Sequence, residues 1–258
     1  MKNETAEKLN QINSDFYQHI AQYFDSSRQT FWEGWDQVWD FMYKNKIPVR
    51  SVLDMGCGNA RFLDFLTQRK EALCHLNHEI YPGSILDNEF SYVGIDNDDF
   101  LLGKSREKFP KATFIKYDIV DSLINDPFAK DAQQYDMIGV FGVIHHIPSL
   151  DLRVRFLKDL KNSLGENGIL ILSIWKFMDD EKEKTKVVPW SNLEIDPNDL
   201  EPNDYLLSWN RGENALRYCH FLTDEEEDKL ILDSGLKKVY EFYADGKSGK
   251  MNKYLILT

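Results

Sequence analysis

The stretch Ser51-Val-Leu-Asp-Met-Gly-Cys-Gly-Asn-Ala60 limits what this chain can fold into more than any other. Val52-Leu53 reads as the end of a buried strand, Asp54 follows it, and Gly56 and Gly58 stand one residue apart. The amphipathic segment Arg61 to Lys70 then reads as a helix. A strand, a glycine turn and a helix in that order form the first unit of a nucleotide-binding α/β sheet. Glycine reaches φ > 0 without strain, and its missing Cβ lets a ligand lie against bare backbone. Arg61 stands where the dinucleotide fingerprint has its third glycine, so a diphosphate is not the natural ligand. A tight turn with no ligand is the alternative. Matches further along the chain favour a cofactor.

The second strand, Tyr92 to Ile95, ends at Asp96, where a sheet of this class binds ribose hydroxyls. A carboxylate suits that task because it can accept two hydrogen bonds from a diol. Asp96 lies 40 residues past Gly56, against a usual interval of about 20. A loop insertion over Cys74 to Glu89, with a turn at Pro82-Gly83, accounts for much of the excess. Cys74, His75 and His78 cluster there, but one C-H-x-x-H group without a second pair is a weak zinc signal, so no metal is expected.

Asp99 is placed to cap a helix from Phe100 to Lys108, and the third strand, Ala112 to Tyr117, leads to Asp118-Ile119. The fourth strand, Tyr135 to Gly142, runs into Val143-Ile-His-His-Ile-Pro148. Its end should face the same crevice as strands one and two, with Phe141, Val143, His145 and His146 around it. One of the two histidines at most is expected to touch ligand. A helix follows from Leu152 to Leu164, then a fifth strand, Ile169 to Trp175, nearly uniform in apolar residues as in a strand covered on both faces. The charged run Asp179 to Lys186 reads as solvated, and Val187 to Asn210 contains no Lys or Arg. Residues 177–218 therefore read as a lid-like insertion. Thr223 opens another helix in capping-box style, and strands at Lys237–Tyr243 and Lys253–Thr258 form a closing hairpin.

Ahead of all this, residues 1–47 read as a helical N-terminal extension, with Ser26-Ser27 offering an N-cap for its second helix. The whole chain, 1–258, reads as a single α/β domain: a Rossmann-like doubly wound sheet, mostly parallel with a C-terminal antiparallel hairpin, plus N-terminal helices. The net charge of -12 argues against non-specific nucleic-acid binding, because phosphate contacts need Lys and Arg. The three cysteines are scattered, which suits a reducing, cytoplasmic setting. The polar N-terminus lacks a signal-peptide core, and no stretch approaches the roughly 20 apolar residues that span a bilayer, so no membrane is expected.

The D-x-G-C-G-N turn at Asp54–Asn59 resembles motif I of the class I S-adenosylmethionine (SAM) methyltransferases, whose cofactor has no phosphate. The resemblance implies cofactor contacts from Asp54, Gly56, Cys57, Gly58, Asn59, Asp96, Asn97, Asp118, Ile119, Phe141 and Val143, with Asp118 meeting the adenine amino group. Outside the cofactor motifs, Phe24-Asp-Ser-Ser-Arg28 with Trp32, the Val143–Ser149 element with Arg153 and Arg155, Val188-Pro-Trp190, and Arg217-Tyr-Cys-His220 are similar to the tRNA wobble-uridine carboxymethyl methyltransferases. Cys219 departs from that pattern, which has a second tyrosine there. The likeness implies esterification of 5-carboxymethyluridine in tRNA, and a small activator subunit as in the eukaryotic family.

A carboxylate acceptor is already ionised at neutral pH, so the protein has to orient it rather than deprotonate it. The planar fork of Arg suits that clamp. Arg28 and Arg217 are the candidates, with His145 at the point of reaction and Trp32, His146, Trp190 and Tyr218 as acceptor-side walls. Either Arg could instead hold the carboxylate of SAM. Arg153, Arg155 and Arg211 read as surface ion-pair formers. A small-molecule O- or N-methyltransferase, or a catalytically silent binding subunit on the same fold, are the competing readings.

Overall fold

Along β1 (Val49–Met55) successive side chains enter opposite apolar layers, and this alternation organises the molecule. Val52 belongs to one cluster with Trp35, Met42, Phe62, Phe65 and Tyr254. Leu53 and Met55 belong to the other with Phe156, Leu157, Leu160 and Leu230. The computed structural model describes residues 1–27, 29–75, 86–125, 133–193, 195–209 and 215–258. Around β1 lie α1 (Asn3–Ser27), α2 (Glu33–Asn45), α3 (Arg61–His75), β2 (Leu86–Asp96), α4 (Asp99–Lys108), β3 (Thr113–Lys116), α5 (Ile119–Asn125) and β4 (Tyr135–Val140). Then follow α6 (Leu150–Asn162), β5 (Leu164–Trp175), α7 (Glu181–Lys184), β6 (Val187–Val188), β7 (Asp204–Trp209), β8 (Ala215–His220), α8 (Asp224–Ser234), β9 (Lys238–Ala244) and β10 (Asn252–Leu257).

The main sheet has the order β3-β2-β1-β4-β5-β10-β9. It is parallel from β3 to β5, with Leu53 opposite Val93 on one side and Ile138 on the other. The last strand, β10, inserts antiparallel between β5 and β9, with Leu255 opposite Leu172 and Glu241. This is the expected Rossmann-like arrangement with its closing hairpin. Strand order reverses between β1 and β4, so a crevice opens at their carboxyl ends.

Several local expectations differ from the structure. Strand β2 begins at Leu86, so the insertion before it is shorter than the sequence implied. The His78 and Pro82-Gly83 part of that insertion lies outside the described residues. Helix α1 continues through Ser27, and Trp32 holds the N-cap position of α2 without a side-chain cap. Asp98, not Asp99, caps α4, its Oδ1 accepting the Leu101 N–H at 2.8 Å. The insertion after β5 carries its own antiparallel sheet, β6-β7-β8. Helix α1 packs along β8, where Asn13 Oδ1 accepts the Tyr218 N–H at 2.8 Å.

Arg153 is the largest departure. It is fully buried rather than on the surface. Its Nε donates to Glu226 Oε1 at 2.9 Å, one terminal nitrogen to the Ile147 carbonyl at 2.9 Å, and the other to Glu201 Oε2 at 2.6 Å. His220 continues the cluster, bridging Asp204 at 2.8 Å and Glu226 at 2.6 Å. Burial opposes charge on His220, yet hydrogen bonds to Asp204 and Glu226 hold its pKa above the usual value. One guanidinium thus fastens the β5–α8 insertion to α6 and α8. Arg153→Ala leaves Glu201 without its cation and Glu226 with His220 alone. Thermal or denaturant unfolding should show a loss of about 3–5 kcal/mol.

Candidate active site

The glycine turn forms the floor of the crevice. Gly56 and Gly58 have φ of +73° and +54°, and a Cβ on Gly56 would stand 2.4 Å from Val143 Cγ2. No side chain fits there, so the backbone stays bare. The N–H groups of Gly56 and Cys57 both donate to the Ile95 carbonyl, at 2.8 and 2.9 Å, which joins the turn to the end of β2. Cys57 is buried, and burial pushes its thiol well above the ordinary range. It fills space left by Gly94, where a Cβ would stand 2.8 Å from its Sγ. Asn59 turns outward to Asp25 of α1, donating to Oδ1 at 2.8 Å.

Asp96 is fixed by two backbone donors, Gly58 N to Oδ2 at 2.8 Å and Asp98 N to Oδ1 at 3.0 Å. Each oxygen keeps a lone pair for a diol. Asp118, just past β3, accepts from Asn10 Nδ2 at 3.0 Å on both oxygens and from the Asp121 N–H at 3.0 Å. Asn97 Nδ2 lies 3.4 Å from the same carboxylate. Asp54 is buried and accepts the Tyr92 hydroxyl at 2.5 Å. Burial raises its pKa to about 7, against the opposing effect of the Tyr92 bond.

One cavity of about 580 Å³ joins these acids to a second group of side chains. The first end holds Asp54, Gly56, Cys57, Gly58, Asn59, Asp96, Asn97, Asp118, Ile119, Phe141 and Val143. The other end holds His145, His146, Trp175, Glu183, Lys186, Trp209 and Arg217. Helix α1 roofs the space with Asn10, Asn13, Tyr17 and Phe24. Trp32 lines it as well, stacked on Trp35 with ring centroids 5.5 Å apart.

Arg217 is buried, and its guanidinium sits 4.6 Å from the Trp175 ring, 5.5 Å from Phe16 and 5.9 Å from Trp209. Its Nε has no hydrogen-bond partner, and no ion pair joins it to a carboxylate of the described residues. His145 is buried with Nδ1 also unpartnered. Burial holds its pKa well below the usual histidine value, as do His146 and Arg217 beside it. His146 is pushed down to about 3 by burial and by Arg217. Its Nδ1 lies 3.0 Å from the Tyr218 carbonyl and its Nε2 2.8 Å from the Tyr17 hydroxyl. Asn13 Nδ2 also lies 3.2 Å from Nδ1, so both ring nitrogens have partners. Both histidines line the cavity.

Tyr218 and Trp190 stand apart from the cavity lining. Tyr218 is fully buried, its hydroxyl donating to Asp204 Oδ1 at 2.8 Å, and Trp190 packs beside it at 6.5 Å between ring centroids. Arg28 lies outside the described residues. Two groups have the donor types for a cation, His145-His146-Cys219 and Glu201-Asp204-His220. In the first, both His146 nitrogens are engaged. In the second, Arg153 already supplies the positive charge.

Sequence reasoning passed over Tyr92, Asn13, Tyr17, Trp175, Glu183 and Lys186. Asn10, Asn13 and Tyr17 recur at helical steps of three and four on the inner face of α1, and polar groups on such a face are the signal that could have found them. Trp175 ends an apolar strand and carries no comparable mark.

The raised pKa of Asp54 makes a stability prediction. The folded state holds this proton up to about pH 7, whereas an unfolded Asp releases it near 3.9. The contribution is thus complete at low pH and is lost as pH rises through about 7. Asp54→Asn keeps an acceptor for Tyr92 and removes the titration. The melting temperature of the variant minus that of the wild type should climb between acid and neutral pH, then level off.

The chain matches the methyltransferase domain family over residues 17–240. It is 24% identical over 222 residues to a methyltransferase-named protein of Encephalitozoon cuniculi, covering 86% of this chain and 85% of that one. It is 25% identical to the human "Probable tRNA methyltransferase 9B", covering 74% of this chain and 36% of the relative. It is likewise 25% identical to the Saccharomyces cerevisiae tRNA (carboxymethyluridine(34)-5-O)-methyltransferase, covering 67% of this chain and 51% of the relative. The chain thus spans only a third to a half of the named tRNA enzymes. Among solved structures, a SAM-dependent methyltransferase from Clostridium acetobutylicum shares the fold, with a TM-score of 0.62 at 14% identity over 94% of this chain and 98% of that one. A family match of this extent makes the chain a member of the methyltransferase domain family and a SAM-dependent enzyme.

Proposed function

We propose that this methyltransferase esterifies a carboxylate, that of 5-carboxymethyluridine at the wobble position of tRNA. The observation that carries the reading is Arg217. A guanidinium buried among aromatic rings without an anionic partner is costly, and an anionic ligand relieves that cost. The yeast relative named for carboxymethyluridine supports this acceptor, and the human relative named for tRNA supports tRNA as the substrate.

The residues fit the cofactor. The bare turn at Gly56 and Gly58 gives it a surface, Asp96 offers two oxygens to a ribose diol, and Asp118 offers an acceptor to an adenine amino group. SAM supplies an activated methyl on a positively charged sulfur. Its end of the cavity carries Asp96 and Asp118, and the acceptor end carries Arg217. A cation and an anion are therefore each met by their complement. Transfer of the methyl converts one positive and one negative charge into two neutral products. Walls of Trp175, Phe141 and Trp209 lower the local dielectric, which favours a step that cancels charge. Arg217 orients the acceptor, and the neutral His145 and His146 add no competing charge. With a net charge of -12, a tRNA-bound state draws on local basic groups or on an activator subunit.

A second reading, a small-molecule O- or N-methyltransferase, is favoured by His145. Its Nδ1 is buried without a hydrogen-bond partner and the residue lines the cavity, where a substrate N–H or O–H would meet it.

The direct test incubates the protein and SAM with tRNA carrying 5-carboxymethyluridine and looks by mass spectrometry for one added methyl. Absence of product, with product on a small acid or amine, rejects the tRNA reading. Asp96→Ala should weaken SAM binding in calorimetry by roughly tenfold to a hundredfold, as befits two charge-assisted hydrogen bonds. Arg217→Ala should spare SAM binding and lower turnover by about a hundredfold or more. His145→Ala separates the two readings. A carboxylate acceptor predicts a loss of less than about tenfold, whereas a required base predicts about 10²–10⁴.

A further inference from the structure

We infer that Glu183 and Lys186 form a second recognition element for the acceptor, one that reads the amide edge of its heterocycle while Arg217 holds its carboxylate. The inference rests on the carboxymethyluridine reading and says how the ring itself is selected.

The charged run Asp179 to Lys186 looks solvated in the sequence, but Glu183 is 7% exposed and faces the cavity with Lys186. Lys186 Nζ lies 2.5 and 2.6 Å from the two Glu183 oxygens. The backbone around the pair is fixed. Asp180 Oδ1 accepts the N–H groups of Lys182 and Glu183 at 2.8 and 3.3 Å. The Lys186 carbonyl accepts from Ser208 N at 2.8 Å and from its Oγ at 3.1 Å.

This ion pair differs from the one at Arg153. Arg153 joins α6 to distant segments, so its burial serves the fold. Glu183 and Lys186 are three residues apart in one short segment, and their contact links no two elements. The Glu183 carboxylate is buried while the Lys186 side chain stays 25% exposed, and burying that carboxylate carries a desolvation cost that one such contact offsets only in part. A pair that fastens nothing and lines a substrate cavity is therefore better explained by a ligand.

The chemistry of that ligand follows from the groups present. Arg217 and Lys186 bring two positive charges and Glu183 one negative, so this end of the cavity carries one net positive charge and matches a monoanion. A carboxylate beside an ammonium offers an acceptor next to a donor. The complement is an N–H next to a carbonyl, as on the N3 and O4 edge of uracil. Trp175 and Trp209 provide flat apolar surface beside Arg217 for such a ring. A simple carboxylic acid satisfies Arg217 alone. A cytosine ring presents the reverse pattern, with an acceptor at N3 and a donor at N4.

The test compares two anticodon-loop oligoribonucleotides, one with 5-carboxymethyluridine and one with its N3-methyl derivative, using the full chain at saturating SAM. The wild type should favour the unblocked base by roughly tenfold or more in kcat/KM, since a site built to bind a polar hydrogen discriminates against its loss. Glu183→Ala should bring the ratio close to one, with SAM affinity by calorimetry unchanged, whereas Lys186→Met, which loses the O4 contact present in both bases, should lower kcat/KM on both oligonucleotides and keep the ratio. A loss of activity equal on both oligonucleotides for Glu183→Ala, or a wild-type ratio near one, overturns the inference while leaving the ester reading intact. Should Glu183→Ala fail to fold, the ratio for Glu183→Gln, which weakens the acceptor and adds a donor, decides. If the wild type methylates neither oligonucleotide, the carboxymethyluridine reading fails and this inference falls with it.

Discussion

Everything at the cofactor end depends on two backbone donors meeting one carbonyl. The N–H groups of Gly56 and Cys57 both reach the Ile95 oxygen, so the turn after β1 is fastened to the end of β2. The next donor, Gly58 N, takes Asp96, and the Asp98 N–H takes its other oxygen. A parallel β1–β2 pair would otherwise end in two loose loops. Here the bonds hold an acid and a bare turn against each other, at the point where strand order reverses and a crevice must open. The absence of a side chain at Gly56 matters twice. It admits a ligand, and it lets Val143 come in from the end of β4 to form the opposite wall.

The acceptor end is built on different principles. His145, His146 and Trp175 reach it from the ends of β4 and β5, and Glu183, Lys186, Trp209 and Arg217 from the insertion after β5. That insertion forms its own small sheet and is held by buried charge as well as by a small apolar cluster around Phe177 and Leu207. Arg153 is the pivot of that attachment, and His220 extends it between Asp204 and Glu226. The hydroxyl of Tyr218 also goes to Asp204, so the tyrosine serves the frame while its neighbour Arg217 faces the cavity. Alternation along β8 explains the division. Two adjacent residues of one motif point to opposite sides, one toward the ion cluster and one toward the ligand.

That division also explains what could be read in the sequence. The cofactor half is local. A strand, a glycine turn, an acid at the end of the second strand and an apolar fifth strand each leave a pattern within about ten residues, and the mostly parallel sheet with its closing hairpin followed from them. The acceptor half is not local. Arg153 and Arg217 look alike in the sequence, both in mixed polar and apolar surroundings. Only the fold shows that one is saturated by carboxylates and the other is not. Glu183 was hidden in a run of charges, because a four-residue helix turns one member inward and leaves Glu181 exposed. Boundaries failed where a neighbouring residue could do the same job, as with Asp98 and Asp99 at the start of α4.

Helix α1 makes the two ends a single device. Asn10 donates to Asp118 at the cofactor end. One turn later Asn13 accepts the backbone N–H of Tyr218, and the Tyr17 hydroxyl meets His146. Asp25 near the end of the same helix accepts from Asn59 of the glycine turn. The helix is thus the element the two ends share: it packs its polar face on both, through contacts that are each local. No cofactor-end residue touches Arg217 in a hydrogen bond or ion pair among the described residues, so α1, together with the strand ends that floor the cavity, is what keeps the Asp118 side and the Arg217 side at a fixed spacing.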